Sequence, residues 1–491
     1  MKKFCTIVLL FVFSLSAIGS DEHLRALELT NKILENREGA DSLEKVKELA
    51  AGENVDVRIA YERLYQAQQK IGQARATYFP YGIGEVLVLQ ATDFWNPLIL
   101  TELVTSIPSK WFNVKRTHNL KNAEKHTLAA LRENIKNEVA NLYYETLKEE
   151  AIIDLARYEL IMLEELMQAL KVQVQTGIAT QQDLDELEYS SLRKREAFLK
   201  LESYLNESKA SMKMLLGLSY RDKMIKFQPV NKFLSSNDFQ MNKEELVLTA
   251  LNRSHEMKAA QQMIYAASNA KRSTKWSILS FAGLGFDYLQ RVHLAGSKLN
   301  QAIYAKEALE VNIQNEVYSK DSRLRNSIDV MTRELSIMET SRDFMLTQLE
   351  LFKAHRINVN ELIDANLIYI RDFAQTIIYH YDSLQRLDDL ERIALGNVTS
   401  SDVAQVKFEF KLNQHKRRNH FQMLPIENTS QSVSSVTYRF DSHDISDLKS
   451  FNPQDNFSVE LGRSVKFPIV GTALIFFKNG EVIQRNFNIS K

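Results

Sequence analysis

The stretch "VQTGIATQQDLDELEYS", residues 174–190, sets a glycine, Gly177, and then two acids three residues apart, Asp183 and Glu186, inside what otherwise reads as one long helix. Around it, residues 113–216 are rich in Ala, Leu, Glu, Lys, Gln and Arg, as are 56–78, 242–273 and 298–395. These are strong helix formers over spans several times the usual ~11–12 residues. Downstream of the glycine, Phe198, Leu201, Leu205, Met212 and Leu215 follow alternating three- and four-residue steps, with Ser208 in the missing position. That spacing predicts a coiled-coil stripe. Carboxylates in the first turn of a helix are favourable near its positive dipole end, so capping alone accounts for one such pair.

A second stretch, "FKAHRINVNELIDANLIYIRD" at 352–372, repeats the pattern. His355 and Glu361 are spaced like Gly177 and Asp183, and Asp364 follows Glu361 as Glu186 follows Asp183, all at an offset of 178 (361 − 183). The helices that follow end in "MLLGLS" at Gly217 and "IALGNV" at Gly396, an offset of 179. Upstream, Ala74-Arg75 in "QKIGQARATYFP" correspond to Ala270-Lys271 in "YAASNAKRSTKW" at an offset of 196. The chain therefore contains two copies of one unit, and the second is shorter by 18 residues (196 − 178) between its first helix and its turn.

Composition is consistent with long, regular elements. The 491 residues include only 15 Gly and 7 Pro, and 62 Lys and Arg balance 62 Asp and Glu, so no net charge attracts nucleic acid. The opening MKKFCTIVLLFVFSLSAIGS has a Lys2-Lys3 start, an apolar run to Ala17 and small residues at Ala17 and Gly19, which predicts a signal peptide over 1–19. The single cysteine, Cys5, falls inside it, leaving the exported chain without a thiol or disulfide. Beyond the signal no apolar run approaches the ~20 residues of a membrane-spanning helix, so membrane insertion requires β-strands. The β-branched and aromatic residues of 81–108, and the alternating Trp276, Ile278, Ser280, Ala282, Leu284, Phe286 and Tyr288 of 275–296, predict such strands, with 277–296 as the second segment.

The resulting division is a first repeat over 20–217, a connector over 218–241, a second repeat over 242–396, a polar linker over 397–435 and a small all-β module over 436–491. In the last, "VTYRF", "FSVELG", "FPIVGTALIFF" and "GEVIQRNFNI" read as strands, with Asn479-Gly480 turning the terminal hairpin. Nothing supports catalysis. The ten His lack ligand spacing, no Gly-rich phosphate loop is present, and the acidic pairs begin helices rather than line a pocket. No cofactor or metal is expected.

With its two-fold repeat, this order of segments resembles the TolC-like outer-membrane efflux and secretion channels over roughly residues 24–396. Three stretches carry the likeness: "AYERLYQAQQKIGQARATYFPYGIG" (60–84), the segment 172–218 around Gly177, and "ELVLTALNRSHEMKAAQQMIYAASNAKRS" (245–273) followed by "INVNELIDANLIYIRD". The resemblance implies a mainly α fold of two tandem helical hairpins. It implies a homotrimer whose helices form a tunnel across the periplasm and whose strands share one β-barrel in outer-membrane lipid of a Gram-negative bacterium. It further implies a passive duct for efflux or type I secretion, joined by a periplasmic adaptor to an inner-membrane efflux or ABC transporter. Gly177 and His355 would be the turns where long helices reverse at the periplasmic tip. Asp183, Glu186, Glu361 and Asp364 would line the periplasmic aperture as threefold carboxylate rings, giving cation selectivity. His355 departs from the usual turn glycine, and Ile357 stands where a gate-bridging arginine is expected, with Arg356 one position off. The competing reading is a soluble periplasmic coiled-coil scaffold that has lost the barrel, because 277–296 barely reaches the ~20 residues of a membrane hairpin.

Overall fold

The computed structural model describes residues 40–77, 97–177, 180–219, 221–222, 226–230, 233–235, 242–279, 285, 287–354, 356–357, 359–394, 408–415, 418–425, 433–440, 448–451, 457–461, 469–478 and 482–489. The expected signal peptide lies outside them. The helices are α1 (Leu43–Glu53), α2 (Val55–Ala76), α3 (Pro97–Gln175), α4 (Gln181–Leu215), α5 (Lys243–Arg253), α6 (His255–Trp276), α7 (Tyr288–Lys353) and α8 (Val359–Ala394). Among the described residues no helix is long and apolar enough to cross a membrane.

Two compact units divide the chain. The first comprises 1–54, 135–238 and 322–389. Its helix α4 buries Leu184, Leu187, Ser191 and Met212 and half-buries Phe198, Leu201, Leu205 and Ser208, continuing the three-and-four spacing along its length. Ion pairs from Lys194 to Glu159 (2.7 Å) and from Lys209 to Glu150 (2.9 Å) flank that stripe against α3. Tyr143 of α3 is the centre of the connector's attachment. Its hydroxyl donates to the Gln228 carbonyl (2.8 Å) and accepts from the Gln228 N–H (2.9 Å), while its ring meets Phe227 edge-on at 4.9 Å. Asp41, just before α1, bridges to Phe227, its N–H donating to the Lys226 carbonyl (2.9 Å). Helix α1 is held to α8 by an ion pair between Lys47 and Asp388, both largely buried.

Gly217, which marks the end of the first repeat in the sequence, has φ +67° and closes α4 with Leu218 N–H bonded back to the Lys213 carbonyl (2.9 Å). A Cβ there would stand 2.6 Å from the Glu53 carbonyl oxygen, so only glycine fits. Its counterpart Gly396 lies outside the described residues.

The second unit comprises 55–134, 239–321 and 390–491. Here the expected strand segments are corrected. Residues 97–108 are the opening of α3 rather than strand, and 81–96 lie outside the described residues. Pro97 takes the first helical position, where a missing N–H costs nothing, and the β-branched run after it adopts the helical period that a short apolar stretch permits equally well. Likewise 288–296 belong to α7 and 277–279 form one 3₁₀ turn, which leaves eight residues, 280–287, between helical elements.

The expected linker is corrected too. Strands β1 (Phe408–His415) and β2 (Arg418–Pro425) pair antiparallel within it, and β3 (Val433–Phe440) begins inside it. Phe408, Phe410 and Leu412 alternate with Glu409, Lys411 and Asn413, so an average over the segment reads polar although the period is that of a strand with one solvated face. With β5 (Val459–Leu461) these strands form a three-stranded sheet in the order β1-β2-β5. The other sheet runs β4-β3-β6-β7, with β4 at Leu448–Ser450, β6 at Ile469–Phe477 and β7 at Val482–Ile489. Val436, Tyr438, Ala473, Ile475 and Ile483 are completely buried in one core, against which Phe410 packs. Gly471 in β6 is required because a Cβ would meet the Arg439 carbonyl oxygen at 2.3 Å.

The edge strand β7 is covered by α5. Thr249, itself buried, accepts the Val482 N–H (3.0 Å), and Glu245 accepts the Gln484 N–H (2.7 Å) and reaches Arg485 (3.2 Å). Thr249 and Glu245 lie four apart on one helical face, and residues 482 and 484 point their N–H groups to the same edge of the strand. The β module is thus fastened to the start of the second repeat.

Candidate functional site: the two helix reversals

The first reversal is closed by its own backbone and capped by one side chain. Gly177 has φ +75°, and its N–H returns to the Val174 carbonyl (3.0 Å), ending α3. Thr180 is the N-cap of α4: its hydroxyl oxygen accepts the Asp183 N–H (3.3 Å), and the Asp183 carboxylate accepts the Thr180 N–H (2.9 Å) and hydroxyl (2.7 Å). This reciprocal capping box is what places Asp183. The hydrogen bond from the Thr180 side chain, followed by that from its backbone, holds the Asp183 carboxyl below its ordinary value. Capping therefore operates in the first copy. Glu186, one turn on, is exposed and flanked by buried Leu184 and Leu187.

In the second copy α7 ends at Lys353 and the Arg356 N–H bonds to the Leu351 carbonyl (2.9 Å). Helix α8 starts at Val359, so Glu361 is its third residue, matching Asp183. Glu361 and Asp364 are exposed, and Leu362 and Ala365, each directly following one of them, are buried. His355 lies outside the described residues. Each copy thus presents an acid pair on the solvent side of a helix start while the adjacent apolar pair packs inward. The arrangement can attract cations and can face another protein surface. Among the described residues no cluster of His, Cys, Asp and Glu is built to hold a metal.

Two features escaped the sequence reading. The Thr180-to-Asp183 spacing of a capping box was available locally. The basic run Lys271–Lys275 marks the repeat and Trp276 opens an expected strand in the sequence, whereas both belong to the last turns of α6, which Ser273 joins to Ser109 of α3.

No protein-family model matches the sequence, and no curated protein matches it. Solved structures do match. The outer membrane protein VceC of Vibrio cholerae aligns at 12% identity and TM-score 0.57, covering 72% of this chain and 96% of that one. The CmeC outer membrane channel of Campylobacter jejuni aligns at 10% identity and TM-score 0.56, over 73% of this chain and 87% of that one. The open-state MtrE outer membrane channel of Neisseria gonorrhoeae aligns at 12% identity and TM-score 0.54, over 73% of this chain and 91% of that one. With its paired long helical hairpins, the protein has the TolC-like fold of the outer-membrane efflux channels.

Proposed function

We propose that the protein is a passive exit duct at the outer membrane, active as a homotrimer, with a large periplasmic portion and no chemistry of its own. The observation that carries this is the pair of long helical hairpins, α3–α4 and α7–α8, in a fold shared with channels that are matched over most of their own length. A duct of this kind takes its energy from an inner-membrane transporter linked through a periplasmic adaptor. The exposed carboxylates Glu186, Glu361 and Asp364, with the capping Asp183, serve as its periplasmic aperture, and Gly177 and His355 as the reversals that carry them. A second reading, a periplasmic scaffold without a barrel, is favoured by one observation: only eight residues separate the 3₁₀ turn from α7.

Membrane fractionation decides between the two. The duct requires recovery in the outer membrane after high-salt washing, migration as a heat-modifiable trimer, and discrete conductance steps in a planar bilayer. Recovery in the soluble periplasmic fraction, with no conductance, would overturn it in favour of the scaffold.

A further inference from the structure

Between α3, the start of α6, α7 and the end of α8 lies a cavity of about 200 Å³, and all of its lining residues belong to the second unit. It lies where the chain leaves the helical path for one residue. Ser254 ends α5 with its N–H on the Ala250 carbonyl (2.8 Å) and begins α6 with its hydroxyl oxygen accepting the Met257 N–H (3.0 Å). His255 and Glu256, the first residues of α6, thereby become part of the cavity wall. In the first repeat α1 and α2, 11 and 22 residues long like α5 and α6, meet in the same way at Asn54, and the residue that follows is Val55. The fold builds this break twice and sets an ionisable ring beside it only once.

The polar groups around the cavity are unequally matched. Arg392 of α8 donates to Glu256 (3.0 Å) and to Asn134 (2.7 Å), and the second Glu256 oxygen accepts the Ser254 hydroxyl (3.0 Å), so this acid and base satisfy each other. Two more acids, Glu133 of α3 and Glu316 of α7, line the cavity, with no second base among the described lining residues. Glu316 meets Lys320, one turn along α7 and outside the lining, at 3.3 Å, a half-exposed pair of little energetic weight. His255, whose ring stacks on that of His126 (6.2 Å between centroids), has a buried Nδ1 without a hydrogen-bond partner. Burial, helped by the charge of Lys258, holds the His255 pKa below the ordinary 6.5 against Glu133 and Glu256. The ring is therefore neutral at pH 7 and accepts an N–H through its unprotonated nitrogen. A buried polar atom left without a partner is uncommon and calls for an occupant. The rest of the wall is apolar, with Ile313 and Ile393 buried and Leu309 half-buried.

An excess of carboxylates, a neutral imidazole and a hydrocarbon wall in so small a volume suit one kind of molecule. We propose that this cavity binds a small primary organic amine, its ammonium donating to Glu133, Glu316 and His255 and its hydrocarbon end resting on Leu309, Ile313 and Ile393. An ammonium carries three N–H donors, as many as these acceptors. An apolar cavity of about 150 Å³ holds a benzene ring, so the present volume admits a ring bearing a two-carbon amine. A bare metal ion would leave the apolar wall unused, and a carboxylate would face Glu133 and Glu316. Every lining residue comes from one chain, so the site stands apart from the duct reading.

Calorimetric titration of the full chain, purified in nonionic detergent, with 2-phenylethylamine tests the proposal. One molecule should bind per chain, and 3-phenylpropionate and 2-phenylethanol, of similar size, should bind ~10-fold more weakly or worse, the factor that one hydrogen bond to a charged group contributes. Glu133→Gln and His255→Val, the second installing the residue that the first repeat carries, should each weaken the amine by ~10-fold. Neither side chain is fully buried, so circular dichroism should show unchanged helical content in both, and the three-ligand series on the unaltered protein decides the question even where a variant fails to fold. No uptake of the amine, uptake indifferent to exchanging its ammonium for hydroxyl or carboxylate, or amine binding unmoved in either folded variant overturns the proposal. Conductance and fractionation report the duct separately, so loss of one reading leaves the other standing.

Discussion

His380 is the most consequential buried titratable side chain. It is 2% exposed in α8, its Nε2 lies 2.8 Å from the Val230 carbonyl oxygen, and its ring contacts Phe233 at 4.5 Å between centroids. Burial holds its pKa below the ordinary 6.5, an effect only partly opposed by the Val230 carbonyl. The folded state therefore prefers the neutral ring, and the unfolded chain takes up a proton first as pH falls. Stability is fully present above about 6.5 and declines as pH drops through that value toward the lower folded pKa. Asp388 acts in the opposite sense, because burial raises its pKa against the pull of Lys47, so its protonation on acidification favours the folded state. Thermal melts between pH 7.5 and 5 should show a falling melting temperature in the wild type and a flatter profile in His380→Asn. An identical slope in both would show that His380 is not the group responsible.

At the scale of elements, the contact between α5 and β7 determines whether the C-terminal sheets are an appendage. Asn242 caps α5, and the carboxylate of Glu245 serves both that capping box and the edge of β7. Removing the chain after residue 400 leaves Thr249 and Glu245, 1% and 6% exposed in the intact protein, without the backbone groups they satisfy. Thr249→Val tests this without truncation: it strands the Val482 N–H in a buried setting, at a cost of about 1–3 kcal/mol. Hydrogen exchange should speed up in both α5 and β7 in this variant. Faster exchange in β7 alone would mean that the module is separable from the helical repeat after all.

For the whole molecule, the question is whether the acid pairs act across copies of the chain. Asp183 is spoken for by Thr180, so its replacement acts on the start of its own helix. Glu361 and Asp364 are the better probes, being exposed beside the buried Leu362 and Ala365. If three copies line one aperture, Glu361→Gln with Asp364→Asn removes a ring of six carboxylates at once. Single channels should then lose cation preference and become less sensitive to multivalent cation block, with helical content unchanged. A double variant that conducts with undiminished cation preference would exclude these residues from the aperture.

By itself the sequence determined the long helices, their duplication and the reversals between them. Those features rest on local periods: the three-and-four spacing from Phe198 to Leu215, the glycine at 177, and the spacing of acids after each turn. Local period does not choose between helix and strand for a short apolar run. The stretch after Pro97 became helix because it continues a 79-residue helix, whose propagation adds a hydrogen bond for each residue fixed. The same reasoning extends α7 back to Tyr288 and shortens the interval that was read as strand. The polar segment from 408 to 425 became sheet because each strand found a partner in register, Phe410 opposite Met423, which composition does not record. Tertiary structure alone decided the attachment of the β module, since Thr249 and Val482 stand 233 positions apart and meet only when an edge strand needs its N–H groups satisfied. It also decided that α3 and α6 lie side by side, where Ser109 and Ser273, 164 positions apart, bind each other's backbone.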